Sequence, residues 1–485
     1  MSINVNKSKK KRICALCTQH PFLRHEIGMR GEKRQCSYCS RSRKTLRIDD
    51  FADYIDVAFK DHYQQTSVDT YPGDEPAGDP VSYVIQEAAD IDEPAAEDAR
   101  MVLEDRYEHQ RTKNEAYDEN PFSPHAYYRS KGIRITEYLE AWESFRWSLL
   151  TEARLFNSHA ESVLSRIFEG LEEHVTAQGK KVIVNCGSGH GIKALYRARA
   201  FQSDEKLEAA IARPDAELGP PPAASAVAGR MNARGISVFY GATHAEVATA
   251  EIRPPVGSRV LVGRFEIIRP LRLLDLDAMR SIRPKGSIFE ASFLGALEKT
   301  AFLDNMSARI TRPVMPDDEA SEYLVTQAIA DYLATRQEPA LDGIVYPSAQ
   351  QGGKAKRNVV LFHKCSRVER IALPKHTQIS AHVTEQDEDG VRPDYSVFVR
   401  KPPKKVEANP PHPFLAALHE PWVRSPGAHT DIRDPALRID LSSLNVIHIR
   451  SVKFSGSDFS VRRHETQMSE RDLEKFREQE KQYEF

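Results

Sequence analysis

The 485-residue sequence lacks several features that would each point to a particular class of protein. No run approaches the roughly 20 apolar residues that span a bilayer, and the start MSINVNKSKKKR has no apolar segment of the signal-peptide type. The six cysteines are too few for a secreted disulfide framework in so long a chain. The sequence therefore predicts a cytoplasmic protein without membrane contact and without disulfides.

Charge is distributed unevenly along the chain, although the formal net charge is only −2. Residues 1–48 contain 13 lysines and arginines against two acidic residues, whereas residues 49–120 contain 21 acidic residues against five lysines and arginines. Two interpretations are open. The two segments dock on each other or are simply solvated, or the basic head binds nucleic-acid phosphates or another acidic partner.

The chain is long enough for two or three domains with ordinary buried cores. Composition and hydrophobic periodicity predict a multidomain α+β protein, in which a small four-cysteine module and a helical domain precede a mixed α/β domain. The predicted segments are a disordered basic arm at 1–12, a zinc module at 13–48, a helical domain at 49–176, a mixed α/β domain at 182–400, a proline-rich linker at 401–439, and a closing strand with a C-terminal helix at 440–485.

Helical periodicity is clearest in the first of the two larger domains. The run FADYIDVAFKDHY places Phe51, Ile55 and Phe59 on one face after two aspartates suited to a helix N-terminus. Further helices are predicted at about 80–110 and within ITEYLEAWESFRWSLLTEARLFNSHAESVLSRIFEGLEEHV. Along this last segment an apolar stripe is predicted, formed by Leu150, Leu155, Phe156, Val163, Leu164, Ile167 and Phe168.

Short β-type runs begin after residue 181. VIVN, SVFY, RVLVG and GIVY are predicted strands of the mixed α/β domain, and LNVIHIRSVKF is a predicted closing strand. A loop at 213–224 and the segment KPPKKVEANPPHP are too rich in proline for regular structure. The sequence SERDLEKFREQEKQYEF predicts a charged C-terminal helix.

Four of the six cysteines form two CxxC pairs. The spacing is Cys14-x2-Cys17, then 18 intervening residues, then Cys36-x2-Cys39, as in a zinc ribbon or knuckle. Since four thiolates fill a tetrahedral shell and leave no position for water, the zinc ion is predicted to be structural and not catalytic.

Two other motifs carry weak signals. Gly187, Gly189 and Gly191 follow an apolar run as in a nucleotide-binding loop, but the next segment, ALYRARAF, is not typical of a helix. Arg154 and His159 have the Arg-x4-6-His spacing of helical ribonucleases of the HEPN type, in which arginine binds the scissile phosphate and histidine acts as acid or base. An exposed structural pair is the simpler interpretation of these two residues.

Separated features of the mixed α/β domain carry the main functional prediction. They are Arg197 in ALYRARAF, Arg230 in GRMNARG, Tyr240 followed eleven residues later by Glu251, and Ser348 in DGIVYPSA. In this order they resemble the RES domain, a family named for an arginine, a glutamate and a serine. The resemblance covers roughly residues 182–365.

The resemblance implies a fold similar to ADP-ribosyltransferases of the diphtheria-toxin type and an enzyme that consumes NAD. It assigns Arg197, Glu251 and Ser348 to the naming positions, with Glu251 stabilising an oxocarbenium-like ribose and Ser348 positioning Glu251 or the carboxamide. Tyr240 would stack on nicotinamide, and Arg197 with Arg230 would bind the diphosphate. The implied reaction is cleavage of the nicotinamide–ribose bond by hydrolysis, phosphorolysis or ADP-ribosyl transfer.

Members of this family are typically bacterial toxins, so the resemblance implies a toxin–antitoxin or defence setting. The N-terminal half also resembles a helical, HEPN-related domain with paired CxxC motifs that precedes some RES domains. We expect restraint by a separate antitoxin protein or by this N-terminal half. The alternatives are a HEPN-type ribonuclease that uses Arg154 and His159, and a non-catalytic protein whose basic zinc head binds nucleic acid. The acceptor and the oligomeric state stay open.

Overall fold

The computed structural model describes residues 2–66, 77–110, 120–312, 314–348, 356–387, 390–403, 431–453 and 456–475. Among these residues, none of the helices is both long enough and apolar enough to span a bilayer. In these described residues the buried hydrophobic side chains form four clusters: one belongs mainly to a first unit at 2–130, and three lie in a second unit that begins at residue 136.

In its described residues the first unit combines five helices with two small antiparallel sheets, ordered β1-β3-β2 and β4-β6-β5. The helices predicted from FADYIDVAFKDHY and at about 80–110 are confirmed as α3, α4 and α5. The elements are α1 (Ser2–Lys10), β1 (Arg12–Cys14), α2 (Pro21–Arg30), β2 (Glu32–Gln35), β3 (Ser42–Arg47), α3 (Ile48–His62), β4 (Tyr63–Thr66), β5 (Asp79–Pro80), α4 (Val81–Ala89), α5 (Glu93–Gln110) and β6 (Tyr127–Ser130).

The basic N-terminal arm is helical, so the prediction of disorder over 1–12 is wrong for its described residues. Lys9 pairs with Asp105 at 2.8 Å, and Ser8 donates a hydrogen bond of 2.6 Å to the buried Asp98. These contacts dock α1 on the acidic helix α5, in line with the first interpretation of the charge asymmetry. Local composition suggested disorder because the acidic partners lie 90 or more residues further along the chain.

One hydrophobic core joins the four-cysteine segment to the first helices. Ile13 of β1 and Leu46 of β3 are buried together with Phe51 of α3 and Val102 of α5. The predicted boundary between residues 48 and 49 therefore does not separate two cores. Phe289 of the second unit is buried in the same core and connects the two units.

The second unit is built on an eight-stranded sheet with the order β16-β10-β8-β9-β13-β12-β11-β7. β11 and β12 are parallel, and the other neighbours are antiparallel. The elements are α6 (Thr136–Thr151), α7 (Ser158–Phe168), β7 (Ile183–Cys186), β8 (Ala194–Phe201), α8 (Asp204–Ala212), α9 (Pro214–Glu217), β9 (Phe239–Ala242), α10 (Ala245–Glu251), β10 (Arg259–Ile267), β11 (Leu271–Asp275), α11 (Leu276–Met279), α12 (Phe293–Thr311), α13 (Glu319–Thr335), β12 (Gly343–Pro347), β13 (Arg357–Leu361), β14 (Gln378–Asp387), β15 (Gly390–Arg400) and β16 (Leu437–His448).

The four predicted β-runs are confirmed as β7, β9, β10 and β12. The predicted closing strand is also present, but β16 begins at Leu437, inside the segment assigned to a linker at 401–439, and pairs with β10. Most of KPPKKVEANPPHP lies outside the described residues. Of the predicted C-terminal helix, residues 470–475 are helical and the remainder lies outside the described residues.

The proline-rich loop at 213–224 contains a short helix, contrary to the prediction of irregular structure. Pro214 opens α9, where its fixed φ and missing N–H cost nothing because the first helical N–H has no partner within the helix. Asp215 and Leu218 are buried and hold this loop against the body of the second unit.

The central sheet separates two layers. One face carries Ile344 and Val360 and packs on α6, α7, α12 and α13. The opposite face carries Val345 and Val359 and packs on α8 and on the β14–β15 hairpin. Since successive side chains of a strand point to opposite faces, such continuous apolar strands are expected in a sheet that is covered on both sides.

The predicted helical domain at 49–176 divides between the two units. α6 and α7 share a core with α12, α13 and the sheet, whereas α3 to α5 belong to the first unit. Helical periodicity shows which face of a helix is apolar, but it does not show which element covers that face.

The apolar stripe predicted across α6 and α7 is correct only in its second half. Val163, Leu164, Ile167 and Phe168 are buried. Leu150, Leu155 and Phe156 are exposed, because the chain leaves the helix after α6 and turns through Phe156 at a φ of 58° before α7 begins.

Candidate functional site

A cleft opens where β8 and β9 separate. The two strands share one residue pair, Tyr196 with Ala242, whereas β9 continues alongside β13 over four pairs. Helix α10 lies over the opening, and the cleft has a volume of about 120 Å³. Its lining consists of Arg197, Ala198, Tyr240, Gly241, Ala248, Glu251, Ile252, Tyr346 and Asn358.

Glu251 is the last residue of α10 and lies on the exposed side of the cleft. Its Oε2 accepts a hydrogen bond of 3.0 Å from Nδ2 of Asn358. Asn358 belongs to β13 and is only 3% exposed. The carboxylate therefore reaches the cleft from its solvent-exposed side and is held there by a residue of strand β13.

Tyr240 presents its ring to the cleft and uses its hydroxyl elsewhere. The hydroxyl donates to Oδ1 of Asn232 at 2.9 Å and accepts from the N–H of Met231 at 3.0 Å. A Cβ on Gly229 would lie 2.8 Å from this hydroxyl, so the loop needs glycine there to come so close. Burial raises the pKa of the Tyr240 hydroxyl to about 12.

Asn232 holds the GRMNARG segment in its conformation. Its Nδ2 donates to the carbonyl oxygens of Val227 and Ile236 at 2.9 and 3.0 Å. Together with the bond from Tyr240, these contacts fix the loop that carries Arg230 against the end of β9.

Arg197 borders the cleft, but its side chain is directed to the other face of the sheet. It alternates with Tyr196 along β8, and its guanidinium carbon lies 5.0 Å from the ring centre of Phe239, in the core under α8. Burial lowers the pKa of Arg197 to about 10, and the charge of Arg199 adds to this. One guanidinium nitrogen, Nη1, is buried without a hydrogen-bond partner.

Arg230 and Ser348 lie beside the cleft and are not part of its lining. Arg230 donates to the carbonyl of Ile310 at the end of α12 and lies 5.9 Å from the ring centre of Tyr323 in α13. Ser348 follows β12 and is largely buried, with its N–H bonded to the carbonyl of Lys356 at 3.1 Å. The structure thus brings Arg197, Tyr240 and Glu251 to one cleft and leaves the other two residues at its margins.

Among the residues of the lining that sequence reasoning missed, Tyr346 and Asn358 are the two with polar side chains. They face each other on β12 and β13. Tyr346 stands two positions before Ser348 in GIVYPS, so strand alternation could have placed the two on the same face. In the run RNVVLF, Asn358 is distinguished only as an uncharged polar residue between Arg357 and the apolar residues that follow it in β13.

The glycine-rich segment after β7 leads into strand β8, and no helix follows it directly. This confirms that the segment is not a nucleotide-binding loop of the strand–loop–helix kind.

Arg154 and His159 do not form a common site. Arg154 lies in the exposed break between α6 and α7, whereas His159 is in α7 and contacts the hydroxyl of Ser144 in α6 through Nε2 at 2.9 Å. The groove between these helices is lined by His159, Ser144 and Glu140, without Arg154. Although their spacing is that of a helical motif, the two residues do not share one helix, because α7 starts only after Arg154.

The four paired cysteines form a second candidate site. Cys14 is the last residue of β1, Cys17 follows in the segment before α2, and Cys36 and Cys39 lie between β2 and β3. All four Sγ atoms are within 4.8 Å of one another. Neighbouring sulfurs are 3.6 to 3.7 Å apart for the pairs Cys14–Cys17, Cys14–Cys39 and Cys17–Cys36. A tetrahedral zinc ion with Zn–S bonds of about 2.3 Å requires sulfur separations of about 3.8 Å. The cluster therefore fits zinc in size and in ligand type.

One member of the cluster is predisposed to ionise. A hydrogen bond from the backbone of Arg41 lowers the pKa of Cys39 to about 7. Burial raises the pKa of the Cys17 and Cys14 thiols. A divalent cation at the centre would offset that cost, since a coordinating thiol is deprotonated by the metal.

Comparison with known families gives one match. The family model of the RES domain matches residues 194–382, which span β8 to the middle of β14 and include the whole cleft lining. No curated protein and no solved structure matches the chain. The match lies inside the mixed α/β domain predicted at 182–400. Two strands of the central sheet, β7 and β16, lie outside the matched residues. Residues 194–382 of the second unit are therefore similar to the RES domain.

Proposed function

We propose that the chain is an NAD-degrading enzyme and that its reaction takes place in the cleft between β8, β9 and β13. The carboxylate of Glu251, held on the cleft wall by Asn358 at 3.0 Å, is the observation that carries this proposal. The RES-domain match supports it, because Arg197, Tyr240 and Glu251 of the resemblance all border this cleft.

A fixed carboxylate suits the chemistry of NAD cleavage. The nicotinamide ring of NAD is positively charged, and when its bond to the ribose C1′ breaks, the electron pair moves to the ring nitrogen and neutral nicotinamide leaves. Positive charge then develops on the ribose, which becomes oxocarbenium-like. A preorganised carboxylate beside the ribose stabilises that charge, and stabilises it more strongly when water is excluded. With water as acceptor, its oxygen bonds to C1′ and a proton is released, which leaves ADP-ribose.

The dimensions of the cleft favour binding of one end of the dinucleotide. About 120 Å³ is less than the roughly 300–1,000 Å³ of a site that encloses a drug-sized ligand. Nicotinamide fits inside, between the rings of Tyr240 and Tyr346, and the diphosphate lies outside. Arg230 is close enough to serve the diphosphate if its guanidinium exchanges the Ile310 carbonyl for phosphate oxygens.

In this proposal the roles of Tyr240, Arg197 and Ser348 differ in detail from those that the resemblance implies. The ring of Tyr240 forms a wall of the cleft, while its hydroxyl stabilises the GRMNARG loop. Arg197 supports the end of β9 through Phe239, and it binds phosphate only after its side chain reorients. Ser348 follows Tyr346 by two positions, just after the end of β12. From this position at the margin of the cleft, its hydroxyl can reach the ribose or Glu251.

Zinc has a structural role in this proposal. Bound by Cys14, Cys17, Cys36 and Cys39, it would join β1 to the β2–β3 turn. The setting we propose is a bacterial toxin or defence system in which a separate antitoxin or the first unit restrains the enzyme. The acceptor is water, phosphate, a protein or a nucleic acid.

The test is to incubate the full chain with NAD and to follow nicotinamide release. We expect Glu251→Gln to reduce release by about 100-fold or more, because the developing charge loses its carboxylate. Glu246→Gln is the matched control, since Glu246 lies on the same helix but pairs with Lys356 outside the cleft, and it should change release by less than about twofold. Unchanged NAD with the wild-type chain, with and without phosphate, would refute the proposal. Product mass identifies the acceptor.

The two alternative functions have less support. Arg154 lies outside the groove that His159 lines, so the ribonuclease lacks its paired residues. Several basic residues of the head are engaged within the first unit, including Lys9 with Asp105 and Lys11 with Asp98. RNA cleavage lost in His159→Ala, or strongly salt-dependent nucleic-acid binding lost on removal of residues 1–48, would revive them.

A further inference from the structure

Asn358 has one satisfied and one unsatisfied polar atom. Its Nδ2 donates to Glu251, whereas its Oδ1 is buried and has no hydrogen-bond partner. An ionised carboxylate can only accept hydrogen bonds, so Glu251 requires the amide nitrogen on its side. This hydrogen bond fixes the orientation of the amide, so Oδ1 is a buried acceptor to which a ligand can donate a hydrogen bond.

The unsatisfied oxygen belongs to the deep part of the cleft. Asn358 is 3% exposed and stands between Tyr346 on β12 and Ala242 on β9, while Tyr240 pairs with the residue two positions further along β13. Tyr346 is buried as well. The deep end thus offers two aromatic rings and one fixed acceptor, and Glu251 marks the exposed end.

A flat ring that carries an N–H donor is the ligand that this deep end fits. The nicotinamide group of NAD is such a ring, and its carboxamide supplies the N–H. With the ring between Tyr240 and Tyr346, the ribose extends toward Glu251 at the exposed end, where its charge develops.

We infer that Asn358 determines substrate specificity in this cleft: its Oδ1 accepts a hydrogen bond from the carboxamide N–H of nicotinamide, while its Nδ2 positions Glu251 beside the ribose. This inference rests on the proposed function and adds the group by which the base is recognised. One side chain then links recognition of the leaving base to placement of the carboxylate that assists its departure.

A hydrogen bond from the carboxamide to Asn358 would make the enzyme prefer NAD to its carboxylate analogue. Nicotinic acid adenine dinucleotide carries a carboxylate in place of the carboxamide and has no N–H to donate. Its oxygens would face Oδ1 of Asn358 and the charge of Glu251, which is unfavourable. Sites built to hydrogen-bond a substrate group reject analogues that lack it. We expect kcat/KM for NAD to exceed that for the acid dinucleotide by about 10- to 100-fold.

Two variants of the full chain separate the two roles of Asn358. Asn358→Leu has similar volume and no polar atom, so it should lower kcat for NAD and bring the NAD-to-acid ratio of kcat/KM close to one. Asn358→Asp keeps an acceptor but loses the N–H that holds Glu251, so it should lower kcat while the preference for NAD persists. Asn305→Leu, at an exposed position of α12, is the matched control and should change neither quantity.

The outcomes distinguish this inference from the proposed function. A wild-type chain that cleaves both dinucleotides equally well, or an Asn358→Leu chain that folds and keeps the wild-type preference, would overturn the inference and leave NAD cleavage intact. A chain that cleaves neither would overturn the proposed function. In that case, calorimetry with free nicotinamide and free nicotinate still tests recognition, and nicotinate bound as tightly as nicotinamide would overturn the inference. Melting temperatures of both variants establish that they fold.

Discussion

A buried polar side chain of the first unit and one of the cleft differ in how completely their polar atoms are hydrogen-bonded. In the first unit, Asp98 is 2% exposed and accepts hydrogen bonds from Ser8, Lys11 and Tyr38. In the cleft, Asn358 is equally buried, yet one of its two polar atoms has no partner. A buried polar atom without a partner costs free energy in the folded protein, and a ligand can supply the missing bond.

This difference indicates a structural role for Asp98 in the first unit and a binding role for Asn358 in the cleft. Asp98 accepts hydrogen bonds from Ser8 of α1, from Lys11 just after α1 and from Tyr38 in the turn between β2 and β3. These bonds fasten α1 and the cysteine segment to α5 and leave the carboxylate little capacity for a ligand. An unsaturated amide on a rigid strand is suited to binding. The same reasoning separates the four cysteines from the cleft, because a four-thiolate zinc site has no open position for a substrate.

The largest effect should come from the loss of one of the four cysteines that we propose as zinc ligands. Cys36→Ser should reduce zinc content from one ion per chain to none and unfold most of the first unit, since structural zinc contributes apparent free energies on the order of 10 kcal/mol. Elemental analysis and far-UV circular dichroism measure the two changes. Cys186→Ala removes a buried cysteine of the second unit and should leave zinc bound. Tightly bound zinc in Cys36→Ser would contradict a four-cysteine site.

A smaller effect is expected where the two regions meet. Phe289 belongs to the second unit but is 2% exposed within the core of the first, where its ring lies 4.8 Å from that of His20 in an edge arrangement. Phe289→Ala should lower the free energy of unfolding by about 3–5 kcal/mol and split one thermal transition into two. Calorimetry measures both. Phe459→Ala, at an exposed position, should change neither, and a single unshifted transition in Phe289→Ala would show that the units are coupled elsewhere.

The smallest of the three effects tests the saturated carboxylate itself. Asp98→Asn should lower the free energy of unfolding by about 2–3 kcal/mol, because the charge that pairs with Lys11 disappears while the group stays buried. Asp105→Asn removes the more exposed partner of Lys9 and should cost less than about 1 kcal/mol. Urea denaturation measures both values. Equal losses would mean that burial does not distinguish these two ion pairs.

Much of the fold could be predicted from local patterns. Runs such as RVLVG and GIVY are apolar on both sides because their strands are covered on both faces, and this signal lies within a few residues. The helix α1 and the division of the helical segment could not be predicted in this way. Both depend on partners far away in sequence, such as Asp98 for Ser8 and α12 for α6.

The site was accessible to sequence reasoning only in part. Arg197, Tyr240 and Glu251, which the sequence singles out in this order, line one cleft of the structure, and their catalytic roles stay a prediction. Asn358 could not be found, since its importance comes from the pairing of β13 with β9 and β12 and from its contact with Glu251. The contact with Glu251 joins residues 107 positions apart in the sequence.

The position of β16 at the edge of the central sheet has a consequence for biosynthesis. β16 covers β10 along eight residue pairs, yet it is translated almost 180 residues later and beyond the end of the RES match. Until the ribosome has passed residue 448, one side of β10 presents unpaired backbone groups, a template for wrong pairing between nascent chains. A chain that ended at residue 382 would keep that open edge permanently. The cleft strand β8, which pairs with the other side of β10, thus gains its finished support only when the chain is nearly complete.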